Sequence, residues 1–164
     1  MAAGRQTKLR RMIRGTHMKA VKHIAVAMLA LFFGTAANAI QLVTEEEAAL
    51  PNEPILEWRG SPTRRPEVIL VSPAPNAGLV RSPVILKIKF KPYGGAAIDR
   101  DSILITYKKI PNIDLTQRLI SFINSDGIDI VDASIPPGTH LFRAELKDSA
   151  GRVGRAEFTI RVGK

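Results

Sequence analysis

The sequence predicts an all-β fold: an antiparallel two-sheet sandwich with one short helix, preceded by an export leader and an irregular N-terminal arm. Three observations predict it. Several runs alternate apolar and polar residues with a period of two, as half-buried strands do. Clusters of Pro, Gly, Ser and Asn punctuate these runs at short intervals. Within the sandwich only Asp114 to Asn124 departs from that rhythm. A chain of 164 residues has room for one ordinary domain, and the boundaries read as leader 1–39, arm 40–65 and sandwich 66–164.

The leader carries most of the charge excess. The chain has 24 Lys and Arg against 15 Asp and Glu, a formal charge of +9. Residues 1–39 hold seven of the cations and no acid, which leaves the remainder at only +2. A polyanion partner is therefore not indicated by charge. Lys19, Lys22 and His23 precede the apolar run Ile24 to Phe33, and Ala37-Asn38-Ala39 follows. A basic start, a short apolar stretch and a small-x-small site make a secretory signal peptide cleaved after Ala39. The apolar run of ten residues is about half of what a membrane crossing needs. Met18 directly before Lys19 is an alternative start, and Arg10-Arg11 lies too far ahead of the apolar run for a twin-arginine signal. With no Cys in the chain, lipid attachment at a mature N-terminal Cys is excluded and no stable membrane insertion is expected after cleavage. The absence of disulfides suits a bacterial envelope, so the expected location is periplasmic or secreted.

The arm begins with a candidate helix, Thr44 to Leu50, with Thr44 as cap and Glu45, Glu46 and Glu47 at the favourable end of the dipole. Pro51 stops it, and Pro54, Gly60, Ser61, Pro62 and Pro66 read as linker. Trp58 is read as an anchor for the arm or an exposed platform. Trp58, Arg64 and Arg65 are the candidate interaction residues.

Strands follow from Pro66. Glu67 to Val71 is a short β-rich run closed by Ser72-Pro73-Ala74-Pro75-Asn76-Ala77-Gly78. Val84, Leu86, Ile88 and Phe90 share one face of the next run, with Ile85, Lys87 and Lys89 on the other. Ile103, Ile105 and Tyr107 are in register in a third. Leu115, Leu119, Phe122 and Ile123 then fall on a helical stripe after Asp114, with Gly127 as its terminator. Ile128 to Val131 resumes strand character. His140, Phe142, Ala144 and Leu146 alternate after the turn Pro136-Pro137-Gly138. Ala156, Phe158, Ile160 and Val162 alternate after Asp148-Ser149-Ala150-Gly151. In that last hairpin Asp148 binds turn amides and Gly151 supplies a positive φ. Pro137, Gly138, His140, Asp148 and Gly151 are its structural residues, and no internal repeat appears.

This closing pattern carries a resemblance. Pro137-Gly138-Thr139-His140 through Asp148-Ser149-Ala150-Gly151-Arg152, followed by Ala156 to Val162, resembles the last hairpin of bacterial immunoglobulin-like and fibronectin type III-like modules. Ser72-Pro73, Pro83 to Phe90 and Ile98 to Ile103 are similar to their early strands. The resemblance implies an immunoglobulin-like sandwich over about Pro66 to Val162 and says little of activity. His140 stands where such modules commonly have Tyr or Phe, and the helical stripe replaces a strand.

Catalytic inventory is thin. His140 is the one histidine after residue 39, so a two-His zinc motif and thiol chemistry are excluded there. Asp126, Asp129 and Asp132, with Asp99 and Asp101, invite a calcium reading but lack loop spacing and serve turns equally well. Lys87, Lys89, Lys108 and Lys109, with Arg64-Arg65, read as solvated strand faces. No nucleic-acid partner and no cofactor is expected. The sequence therefore predicts a non-enzymatic binding or structural module acting on an unknown envelope protein or glycan. The alternative is a small periplasmic hydrolase or enzyme accessory domain using His140 with nearby carboxylates.

Overall fold

The computed structural model describes residues 39–54 and 64–164, all within the compact unit Asn38–Lys164. The apolar leader segment and Trp58 lie outside the described residues. Among those described, no helix is long and apolar enough to cross a membrane.

Among the described residues ten strands form two five-stranded sheets. They are β1 (Ile40–Gln41), β2 (Glu67–Ser72), β3 (Leu79–Val80), β4 (Val84–Lys91), β5 (Ile98–Tyr107), β6 (Ile113–Asp114), β7 (Ile123–Asn124), β8 (Gly127–Ser134), β9 (Gly138–Asp148) and β10 (Val153–Val162). The first sheet has the order β1-β8-β4-β2, with β7 also on β8; the second has β3-β10-β9-β5-β6. The all-β expectation holds. The two alternating faces are placed as their period requires: Val84, Leu86, Ile88 and Phe90 are buried while Ile85, Lys87 and Lys89 are exposed. Ile103, Ile105, Tyr107, Phe142, Leu146 and Ile160 join them from the second sheet in one apolar cluster.

The sheets are mixed, which corrects the purely antiparallel expectation. β1 pairs in parallel with β8, and β3 in parallel with β10. Tight hairpins enforce antiparallel neighbours, whereas these two-residue strands arrive by long connections that leave direction open.

Both expected helices occur in the described residues: α1 (Glu45–Ala49) in the arm and α2 (Thr116–Leu119) in the sandwich, the latter continued by a 3₁₀ turn, Ile120–Phe122. α2 buries Leu119, with Leu115 beside it, as the stripe requires. Gly127, read as the terminator of that helix, instead opens β8 after the β7–β8 turn. Its φ is 153°, and an added Cβ would lie 2.0 Å from the Ile88 carbonyl oxygen. The glycine is needed where β8 meets β4.

The first part of the region read as an extended arm is packed structure. Leu42 and Val43 are buried in the core, and both amides reach the Ser134 carbonyl, at 3.0 and 3.4 Å. A run of two apolar residues is too short to register as periodicity, which is why the proline-rich composition dominated the reading.

Candidate functional site

The Asp148 hairpin is built as its residue types require. Asp148 Oδ1 accepts from the amides of Ala150 (3.0 Å) and Arg152 (2.9 Å), and Gly151 has φ 74°. Burial pushes the Asp148 carboxyl up, but the Arg152 and Ala150 hydrogen bonds together outweigh it and hold it below the usual carboxylate range. Arg152, which the sequence did not single out, also donates to the Tyr93 carbonyl at 2.6 Å and lies over the Tyr93 ring.

His140 sits on the inner face of β9 and is 1% exposed. Nε2 lies 2.8 Å from the Pro136 carbonyl, which can only accept, so Nε2 carries the proton. Nδ1 then accepts from the Tyr107 hydroxyl at 2.8 Å. Phe142 stacks on Tyr107 with centroids 5.1 Å apart, and Phe158 continues the aromatic row. Gly138, φ 146°, lets the chain pass over the imidazole; a Cβ there would be 3.3 Å from Nε2. Burial pushes the His140 pKa down; the bond to Pro136 opposes this, Lys109 repulsion adds to it, and Glu45 opposes it weakly. Burial pushes the Tyr107 phenol up to about 12. Both ring nitrogens are engaged and neither contacts a carboxylate, so the imidazole has no lone pair open to a substrate.

A pH dependence follows. The unfolded chain takes up a proton at His140 near the usual 6.5, while the folded protein resists it to lower pH. Stability is thus fully present above about 6.5 and falls as the pH drops below it. Thermal melts should decline between pH 7 and 5.5, before carboxylates titrate, and His140→Gln should flatten that slope even with a lower Tm. A wild-type Tm constant over that range would contradict the assignment.

Lys108 and Lys109 correct the solvated-face reading: they are 2% and 3% exposed. β5 ends at Tyr107, and the segment after α1 covers both lysines. Lys109 Nζ donates to the carbonyls of Ala48 (2.7 Å) and Leu50 (2.8 Å), the open end of α1, and sits 5.2 Å from the Tyr107 ring centroid. Burial pushes its pKa down. Lys108 pairs with Glu53 and holds that carboxyl below its usual range. Asn52 bridges Lys109, and the Ile110 amide donates to Pro51 at 3.0 Å. At the other end of α1 the Thr44–Glu47 capping box is complete, and Arg118 holds Glu47 through two bonds of 2.8 and 2.5 Å. These groups form a clasp that fastens residues 40–53 to both sheets. The sequence had marked Thr44 and Glu47 as the helix start and Pro51 as its stop, had read Lys108 and Lys109 as solvated, and had not marked Asn52, Glu53 or Arg118.

The acidic residues do not converge. Among the described residues no group of three or more His, Cys, Asp or Glu could hold a metal ion. Asp99 accepts from the Asp101 amide at 3.1 Å, a turn role, and Asp129 pairs with Lys87 at 2.7 Å.

No known protein family, curated protein or solved structure matches this chain. Assignment of a site therefore rests on its own surfaces, and the outer faces of the two sheets differ. On the second sheet, directly opposed pairs lace β9 to β10: Arg143 with Glu157 at 2.7 Å and Arg155 with Glu145 at 2.9 Å. On the first sheet Ile69, Val71, Ile85 and Val131 are exposed, Val131 to 66%. Arg64 is exposed and Arg65 half-buried just before β2.

The edges also differ from a closed sandwich. Among the described residues β2 bonds only to β4, and β10 bonds to β3 only through Arg161 and Val162. The two strands touch at Pro66 and Gly154, where a Cβ on Gly154 would be 2.3 Å from the Pro66 oxygen. Beyond that point they leave a groove of about 480 Å³ between Val68–Leu70 and Ala156–Thr159.

Proposed function

We propose that the chain is an exported, non-enzymatic binding module of immunoglobulin-like type, acting in the bacterial envelope by contact with a protein or glycan. The observation that carries this reading is the first sheet: Ile69, Val71, Ile85 and Val131 are exposed on its outer face beside the Lys87–Asp129 and Lys91–Glu67 pairs, and among the described residues β2 is an edge strand. Exposed aliphatic side chains on one sheet face, interspersed with charge, suit contact with a protein or glycan partner. The Asp148–Gly151 hairpin supports the immunoglobulin-like assignment, while the parallel β1 and β3 are departures from a purely antiparallel plan. The signal peptide supplies export, with Ile40 as the mature N-terminus. The hydrolase alternative draws no support from His140, whose two nitrogens are occupied by Pro136 and Tyr107.

The test is site-specific photo-crosslinking in the producing cell, with the reactive residue at Ile85 or Val131 and a control at Leu104, exposed on the second sheet. Adducts are expected from the first two positions and not from the control. Absence of adducts from both, or equal yield at Leu104, overturns the reading.

A further inference from the structure

Resting on that reading, we infer that the partner is a glycan, and that a neutral sugar unit with adjacent hydroxyls seats in the hollow on the first sheet between Val71 of β2 and the β7–β8 turn. The hollow has a volume of about 460 Å³, within the roughly 300–1,000 Å³ of small-ligand sites, and lies on the same outer face as Ile69, Ile85 and Val131. Its position follows from the register. Lys89 stands opposite Ile69 on one side and Gly127 on the other, and Gly127 contributes no side chain, so the face is indented there.

Three polar groups converge on the hollow from pinned backbone. Asn124 Oδ1 accepts from the amides of Asp126 (2.8 Å) and Gly127 (2.9 Å), which fixes the side-chain amide and leaves both Nδ2 hydrogens without a partner among the described residues. The Asp126 carbonyl accepts from the Phe90 amide at 2.8 Å, so the residue that carries the carboxylate is held at both its amide and its carbonyl. Asp126 and Lys89 both border the hollow and are exposed, and neither makes an ion pair among the described residues. Lys87 and Asp129, also in the lining, are engaged with each other at 2.7 Å.

One carboxylate, one ammonium and one amide donor around a single hollow select among partners. A flat protein face laid over it would withdraw Lys89, Asp126 and Asn124 from water without giving each a counterpart, which is costly. An acidic ligand suits Lys89 and opposes Asp126, and a cationic one does the reverse. Sugar hydroxyls both donate and accept, so a pair on adjacent carbons can donate to the Asp126 carboxylate while accepting from Lys89 Nζ and Asn124 Nδ2, with the C–H groups of the ring resting on Val71.

The experiment uses the mature protein, residues 40–164, isotope-labelled for amide spectroscopy. The probes are the neutral disaccharides cellobiose, mannobiose and N,N′-diacetylchitobiose, with glucuronate, glycine and a peptide alternating valine and threonine as contrasts. At least one disaccharide is expected to give saturable shifts at Lys89, at residues 124–127 and at the Asn124 side-chain amide. Asp126→Asn and Lys89→Met, both exposed changes, should each weaken that binding about tenfold with the rest of the amide spectrum unaltered, whereas Lys147→Met on the second sheet should leave it unchanged. No shift with any disaccharide, shifts confined to other residues, or a stronger response at these residues to glucuronate, glycine or the peptide overturns the inference. Crosslinks still formed at Ile85 and Val131 with no sugar response remove this inference and leave the binding-module reading; loss of the crosslinks removes that reading itself.

Discussion

Deleting residues 40–53 is expected to bring the domain to the edge of unfolding rather than to trim a dispensable arm. Leu42 and Val43 are each about 1% exposed, and burying such side chains contributes about 1.5–3 kcal/mol apiece. The same deletion removes Glu53 from Lys108 and the Ala48 and Leu50 carbonyls from Lys109, and uncovers both lysines to water, so the lost aliphatic burial sets the cost. Against a usual domain stability of about 5–15 kcal/mol, the aliphatic term alone, ~3–6 kcal/mol, is a large fraction. The melting temperature should fall by at least ~12 °C, at roughly 4 °C per kcal/mol. A truncated protein melting within a few degrees of the intact one would show that the clasp is superficial. The result bears on function too, because loss of a partner on truncation would then report unfolding and not removal of a contact.

Gly127→Ala should produce the second large effect. The glycine opens β8 opposite Lys89 of β4, at φ 153°, a backbone region that L side chains rarely adopt. Asn124 Oδ1 pins the approach by accepting from the Asp126 and Gly127 amides, at 2.8 and 2.9 Å. A Cβ would lie 2.0 Å from the Ile88 oxygen and 3.1 Å from the Lys89 Cα, both backbone atoms that no rotamer change can move. Backbone strain of ~1–3 kcal/mol adds to an overpacking cost of ~1–3 kcal/mol, so urea unfolding should show a loss of about 2–6 kcal/mol. Gly78→Ala is the control: its φ is 72° but nothing lies within 4 Å, so only the smaller conformational cost applies. Equal losses at the two positions would contradict the close approach of β8 to β4.

What could be read from the sequence was what period and turn chemistry encode. The alternation from Val84 to Phe90 identified the buried face because a strand exposed on one side repeats every two residues. Leu115, Leu119 and Phe122 marked their helical turn, although Ile123, read on the same stripe, opens β7, and Asp148 with Gly151 marked the hairpin, since both signals act within a few residues. The paired lysines were misread because Lys108-Lys109 looks solvated locally; their partners Ala48, Leu50 and Glu53 come from a distant part of the chain. The Tyr107–His140 bond spans 33 residues and is equally invisible to local pattern. β1 and β3 are two residues each, too short to show any period. The groove between β2 and β10 is a property of how two sheets close, to which no single run of residues testifies.

Amide hydrogen exchange on the intact mature protein, without a partner, tests both halves of the account together. The Leu42 amide on Ser134 and the Ile110 amide on Pro51 should exchange as slowly as the inner strands β4 and β9, reporting a clasp that opens only with the whole domain. The outward amides of Val68–Val71 and Ala156–Thr159, which have no partner strand among the described residues, should exchange much faster. Rapid exchange at Leu42 and Ile110 with the core still protected, or core-like protection along the β2 and β10 edges, would contradict it.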